Sequence, residues 1–208
     1  MAVRLVLDAV SKSFGATRVL QGFSLELNEG DRVALQGSNG SGKSTVIKIL
    51  SGQNSPSKGL ATLDGCGPAD WPRCVSLAAP YTELLEELTP REHLHWQSQF
   101  QDLRLEPQEA LQALDLSESA WDRPIQSFSS GMKQRMKLAT ALLANTPVVL
   151  LDEPLSNLDD AGRAWAVQLV ETQLSARAPW GERILVIATN NDPDELGLTR
   201  RSVPLHKF

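Results

Sequence analysis

One octet limits what this chain can fold into more than any other feature. Gly37-Ser38-Asn39-Gly40-Ser41-Gly42-Lys43-Ser44 reads as Gly, four residues, Gly, Lys and Ser, which is the phosphate-loop pattern. At ordinary residue frequencies a chain of this length matches that pattern by chance roughly once in a hundred. Its setting narrows the reading further. Residues 31–36 read as a strand that feeds the loop, and residues 44–50, Thr45 among them, are apolar at helical spacing and stop at Gly52. The chemistry asks for these residue types. Backbone N–H groups must wrap a β-phosphate closely, side chains at the glycines would obstruct them, and the helix directs its positive end at the anion. Lys43 supplies a point charge to the β and γ phosphates, and the Ser44 hydroxyl is the expected Mg²⁺ ligand.

A second pattern lies far along the chain. Val148-Val149-Leu150-Leu151-Asp152-Glu153 is an apolar run ending in two carboxylates, which is how a buried strand delivers acids to the carboxyl edge of a parallel sheet. Asp152 is placed to hold Mg²⁺, and Glu153 to orient or deprotonate a water. Alone, such a pair is equally well explained as a helix cap; beside a phosphate loop it gains force. A third pattern, Phe128-Ser129-Ser130-Gly131-Met132-Lys133-Gln134-Arg135, is a small-residue turn opening a helix and makes a second anion-ready helix N-terminus.

The organisation around these motifs predicts an α/β fold. At 208 residues, 41% hydrophobic and 22% charged, the chain has the length and composition of one large globular domain or one with an inserted lobe. Residues 3–7 and 23–27 alternate like strands of a partly exposed antiparallel layer. From about 89 to 143 the character turns helical: Thr89-Pro90-Arg91-Glu92 carries an N-cap, a first-position Pro and a capping-box Glu, and further helices are expected over 106–114 and 129–143. Strand grammar returns at 148–151 and 184–188, around a long helix from 159 to about 177. The expected division is a core of 1–88 and 144–208 with a helical subdomain over about 89–143.

With these three motifs in this order, the chain resembles the ATP-binding-cassette (ABC) ATPases over almost its whole length. The resemblance implies a P-loop NTPase core with a mostly parallel sheet, an N-terminal antiparallel β layer and an inserted α-helical subdomain. It implies ATP and Mg²⁺ as ligands, with Gly37, Ser38, Asn39, Gly40, Ser41, Gly42, Lys43, Ser44 and Thr45 around the phosphates. In that family two cassettes pair head to tail, so Ser129, Ser130, Gly131 and Met132 would close over the partner's ATP, with Ser129 and Gly131 at its γ-phosphate. Ser130 stands where the family most often has Gly, and Met132 where it often has Gln. Phe14 matches the aromatic that stacks on adenine, against the alternative of a core Phe. Asp159, in Ser156-Asn157-Leu158-Asp159, matches a loop that crosses the dimer interface, with a helix N-cap as the other reading.

Two departures bear on mechanism. After the strand at 75–79 the family usually carries a Gln that touches Mg²⁺ and water; here the stretch is Ala78-Ala79-Pro80-Tyr81, and Tyr81, Thr82 and Glu83 are the candidates for its part. Where a His usually contacts the γ-phosphate stands Asn190, which donates a hydrogen bond but carries no proton between water and phosphate. With Glu153 retained, slow hydrolysis is expected, Glu153, Lys43 and Asn190 forming the catalytic set.

Composition bounds the partners. Twenty basic against twenty-five acidic residues give a net charge of -5, which argues against a nucleic-acid surface. Lys133, Arg135 and Lys137 read as a solvated helix face, His93 and His95 as surface histidines, Cys66 and Cys74 as reduced structural thiols, and Trp71, Trp96, Trp121, Trp165 and Trp180 as packing residues. No apolar run is long enough to span a bilayer, and the first residues lack a secretory pattern, so a cytoplasmic location is expected. The ending soon after the last core strand gives the expectation of no appended regulatory domain. The resulting expectation is the ATP-hydrolysing subunit of an ABC transporter, peripheral on the cytoplasmic face. It would work with a second cassette, in a homodimer or heterodimer, and with an integral-membrane permease subunit. Small size and the turn at Ser129 look like compact export-type cassettes, such as those of haem export in cytochrome c maturation. The rivals are a soluble ABC ATPase with a non-transport role and a slow or non-hydrolytic ATP-gated module.

Overall fold

The computed structural model describes residues 3–67, 70–175 and 181–206. In chain order its strands and α-helices are β1 (Arg4–Phe14), β2 (Thr17–Asn28), β3 (Arg32–Gln36), α1 (Lys43–Leu50), β4 (Lys58–Leu63), α2 (Trp71–Cys74), β5 (Val75–Ala78), α3 (Pro90–Ser98), α4 (Pro107–Ala113), α5 (Ser130–Leu143), β6 (Val148–Asp152), α6 (Asp160–Ser175), β7 (Ile184–Thr189), α7 (Pro193–Gly197) and β8 (Arg201–Pro204). They form an antiparallel sheet in the order β2-β1-β4 and a parallel sheet in the order β5-β6-β7-β3-β8.

The apolar run of β6 is continuous because both faces of its strand are covered. Val148 and Leu150 face a cluster with Leu5, Leu27, Val46, Ile47 and Leu50, between the parallel sheet, α1 and the antiparallel layer. Val149 and Leu151 face the opposite cluster, with Leu138, Leu142, Ala166 and Val170 of α5 and α6. Strand β7 repeats the alternation: Ile184 and Val186 on one side, Leu185 and Ile187 on the other. At about 1.5–3 kcal/mol for each fully buried aliphatic side chain, these two strands are the most strongly held part of the sheet.

The expected elements are present, and the α/β class with a parallel sheet and an antiparallel layer stands. The capping box at Thr89 forms in full: its hydroxyl accepts from Glu92 N and its N–H donates to Glu92 Oε2. Four of these strands and α-helices were not anticipated: β4, α2, α7 and β8. Each is six residues or fewer, so periodicity had little to register. The helix expected to reach about 177 is described to Ser175; Arg177 and Trp180 lie outside the described residues.

Three surface assignments change. His93 is buried, 3% exposed, because the inward stripe of α3 is His93, Leu94 and Gln97; His95 is exposed. Trp96 is half-exposed, and its ring meets that of the exposed Phe100 at 5.0 Å with a tilt of 56°. The cations of α5 are fasteners rather than a solvated face. Lys133 pairs with Glu86 at 2.7 Å, Lys137 donates to the Pro80 carbonyl at 3.2 Å, and Arg135 pairs with Asp115 while lying over the Trp165 ring. Cys66 and Cys74 are both free thiols; burial is the main cause that pushes Cys66 up to about 12. Among the described residues no helix is long and apolar enough to cross a membrane.

Candidate nucleotide site

Strand register brings the motifs to one edge. Gln36 of β3 pairs with Thr189 of β7, and Asp152 of β6 pairs with Ala188 of the same strand. The residues that follow, Gly37, Asn190 and Glu153, therefore leave neighbouring strands at the carboxyl edge of the parallel sheet, where open α/β sheets bind ligands. Strand β5 adds Ala79 beside them, since Ala78 pairs with Leu151.

The loop between β3 and α1 is shaped for close approach. A Cβ on Gly37 would stand 2.4 Å from Ser41 Oγ and 2.5 Å from the Leu205 carbonyl. Gly42 has φ +98°, a conformation in which an L side chain is strained, and it turns the chain into α1. Lys43 is 5% exposed, and its ammonium lies inside the loop, donating to the Gly37 carbonyl at 2.6 Å and to Ser38 at 3.4 Å. The buried Ser41 hydroxyl has no hydrogen-bond partner among the described residues. A cradle of main chain, a buried cation and an orphaned hydroxyl suit a polyphosphate.

Asp152 is 3% exposed. Burial is the main influence on its carboxyl and pushes it up, while a hydrogen bond from Ser44 pulls the other way and the charge of Glu153 adds to the rise. Ser44 and Asp152 thus place a hydroxyl and a carboxylate together, the hard oxygen set that Mg²⁺ takes. Glu153 adopts φ +49°, costing about 1–3 kcal/mol for a residue with a side chain, and its N–H donates to the Ala188 carbonyl at 2.9 Å. That turn breaks the strand line and separates the direction of Glu153 from that of Asp152.

Phe14 is 50% exposed at the end of β1, with the Lys12 ammonium 5.0 Å from its ring, so the core reading of this aromatic is excluded. Ser129 is the N-cap of α5 and accepts from Met132 N at 3.3 Å. Ser129, Gly131, Met132 and Asp159 line one cavity of about 530 Å³, whose walls include no residue of the loop 37–45. Asp159 also accepts from Gly162 N at 2.8 Å at the start of α6, so its capping reading holds. Asn190 is exposed just past β7. Ser130 lines a separate groove of about 880 Å³ with Tyr81, Glu86, Lys133 and Glu153.

Motif reasoning missed the supports. Glu195, 3% exposed, accepts from Leu155 N at 3.0 Å, and burial pushes its carboxyl up. Arg163 of α6 grips both oxygens of Asp192 at 2.7 and 2.8 Å, which holds Asp192 well below the usual carboxylate range. Gln134 of α5 donates to the Pro154 carbonyl at 2.7 Å. These bonds brace the turns after Glu153 and Asn190. A legible signal was present for one of them, since Asn191-Asp192-Pro193 places an N-cap before a first-position Pro.

The chain matches the family model described as ABC transporter over residues 20–156. Over 165 residues it is 36% identical to the daunorubicin resistance ATP-binding protein DrrA2 of Streptomyces coeruleorubidus, covering 75% of this chain and 51% of that protein. Over 176 residues it is 33% identical to the aliphatic sulfonates import ATP-binding protein SsuB 3 of Pseudomonas syringae pv. syringae, covering 81% of this chain and 62% of that protein. The chain thus spans about half to three-fifths of these relatives' lengths. A solved structure of an ATP-binding subunit of an ABC transporter superposes with a TM-score of 0.83 and 27% identity, covering 97% of this chain and 85% of that one.

Proposed function

The chain belongs to the ABC transporter family of ATP-binding cassettes, and from that premise we propose that it hydrolyses ATP as the motor subunit of a membrane transporter. The observation that carries the reading is the meeting of Lys43, Ser44, Asp152 and Glu153 at the edge formed by β3, β7 and β6. In this reading residues 1–88 and 144–208 form the core of one cassette, and about 89–143 form its helical subdomain.

The loop 37–45 binds the phosphates of ATP through its main chain and Lys43, and Phe14 stacks on the base. Ser44 and Asp152 would hold Mg²⁺, which would supply neutralisation of the charge that develops on the phosphates. Glu153 orients the attacking water and accepts its proton; the water oxygen bonds to the γ-phosphorus as the bond to the ADP oxygen breaks. Asn190 donates a hydrogen bond from its amide and acts as a positioner, with no part in proton transfer, which makes turnover slow.

The second anion-ready turn supports pairing. Because the cavity at Ser129, Ser130's neighbour Gly131, Met132 and Asp159 holds no residue of the chain's own phosphate loop, that turn serves the ATP of a second cassette. The work is delivered to an integral-membrane permease, with the cassette peripheral on the cytoplasmic face. One relative named above is a drug-resistance protein and another an import protein, so cargo and direction belong to the permease rather than to this chain.

Phosphate release by purified protein, set against Lys43→Ala and against ATP-induced dimerisation, tests the reaction. Turnover above the Lys43→Ala control supports the ATPase, and dimerisation without turnover would establish an ATP-gated module instead. Affinity purification from gently solubilised membranes tests the partner: a stoichiometric multi-span protein is expected, and soluble partners alone would favour a non-transport role.

A further inference from the structure

The loop that lacks the family's usual Gln carries the only tyrosine in the chain. Tyr81 follows β5 in a turn fixed at both ends. Thr82 Oγ1 donates to the Ala79 carbonyl at 2.7 Å and accepts from Ala79 N at 3.2 Å, and Lys137 of α5 donates to Pro80 O at 3.2 Å. The ring is pinned from the phosphate-loop side, because Lys48 of α1 places its ammonium 4.0 Å from the ring centroid. The hydroxyl is buried and has no hydrogen-bond partner among the described residues.

A buried phenol ordinarily finds a partner, since leaving one unpaired sacrifices the hydrogen bonds it made to water. Tyr81 lines the groove that also reaches Glu153, and the charge of Asp152 acts on its hydroxyl. Burial and that charge both push its ionisation up, so it is a neutral O–H donor at physiological pH. A donor of this kind lies within reach of the charge of Asp152, the residue that Ser44 also hydrogen-bonds.

We propose that Tyr81 is a positioning residue whose hydroxyl hydrogen-bonds the MgATP assembly held by Ser44 and Asp152, replacing the missing Gln, and whose loop carries that contact to α5 through Pro80 and Lys137. The inference rests on the ATPase reading above. It makes the hydroxyl, rather than the ring, the functional part. The ring and its cation contact survive in Tyr81→Phe, and a terminal donor returns in Tyr81→Gln.

Binding of a fluorescent ATP analogue to the full chain, with Mg²⁺ and with EDTA, tests it. For Tyr81→Phe the gain in affinity on adding Mg²⁺ is expected to shrink about 5-fold, the value of one hydrogen bond, while affinity in EDTA stays that of the wild type. Turnover is expected to fall by a similar factor with KM little changed, and Tyr81→Gln to recover part of both. Because the chain has one tyrosine, uniform 3-fluorotyrosine labelling gives one ¹⁹F resonance. That resonance is expected to move with Mg²⁺ and a non-hydrolysable ATP analogue but not with the analogue in EDTA, a readout independent of whether the variants fold. An unchanged Mg²⁺ gain in Tyr81→Phe, or a resonance indifferent to Mg²⁺, would overturn the role of Tyr81 alone. A wild-type chain that binds no ATP would overturn the ATPase reading and this inference with it.

Discussion

Arg183 and Thr146 meet twice: the guanidinium donates from Nε to the Thr146 carbonyl at 2.8 Å and from Nη2 to Thr146 Oγ1 at 3.0 Å. The same group donates to the carbonyls of Leu142 at 2.7 Å and Ala144 at 2.9 Å. At 1% exposure it closes the C-terminal end of α5, where carbonyls lack helical partners, and ties it to the start of β7.

Removing that cation leaves buried acceptors without donors. Arg183→Met is expected to destabilise the chain by about 3 kcal/mol or more. For a protein of this size that lowers the melting temperature by roughly 6–12 °C. Arg183→Lys is expected to recover little, because an ammonium cannot reproduce the planar fork that reaches separate carbonyls. Thermal denaturation followed by circular dichroism measures both, and a Lys variant as stable as the wild type would show that charge, not geometry, matters here.

Glu153 sits at φ +49° with its N–H fixed to Ala188, so its carboxylate is aimed by the backbone. Glu153→Gln keeps the shape and removes the proposed proton acceptor. Turnover is expected to drop about 100-fold or more, with ATP affinity nearly unchanged and the ATP-bound dimer longer-lived. Asn190→Ala is expected to cost less, about 10-fold, as befits one lost hydrogen bond. Single-turnover phosphate release separates these; equal losses in the two variants would reverse the proposed division of labour.

The motifs were legible because their chemistry and their local structure coincide. Gly37 to Ser44 encodes the turn that it makes, and the run from Val148 to Asp152 encodes a strand buried on both faces. What was illegible depends on distant pairings. β4 is Lys58–Leu63, short and with half its residues exposed, and exists because β1 offers it an edge. His93 reads as a surface residue because the sequence around it is largely polar, whereas in the fold it shares the inward face with Gln97, which donates to Thr140 O at 2.8 Å. The cations of α5 look solvated in one dimension; Glu86 and Asp115, which pair with them, lie on other elements.

Phe14 separates binding from folding. Half of its surface is exposed, so Phe14→Ala is expected to leave the melting temperature nearly unchanged. Stacking of a base on an aromatic ring is worth about 1–3 kcal/mol, so ATP affinity is expected to fall at least 5-fold. Phe14→Trp should retain it. Fluorescence titration with ATP and with tripolyphosphate checks the assignment, because the ligand without a base should not distinguish the variants. Equal losses for both ligands would place Phe14 at the phosphates instead.

His93 gives stability a pH dependence of known sign. Burial is the cause that holds its imidazole below the ordinary 6.5, and both ring nitrogens lie buried without hydrogen-bond partners among the described residues. The folded state therefore binds a proton less readily than the unfolded chain. Its contribution is fully present above the ordinary value and is lost as pH falls through the depressed folded value. Asp152 and Glu195 act in the opposite sense, since burial pushes both carboxyls up and their ionisation on raising pH opposes folding. The total curve mixes these, so the difference between wild type and His93→Leu is the informative quantity. Urea denaturation at about pH 8 and at about pH 5 measures it: acidification is expected to cost the wild type more than His93→Leu. Parallel losses in the two proteins would mean that the imidazole takes up its proton without leaving the core.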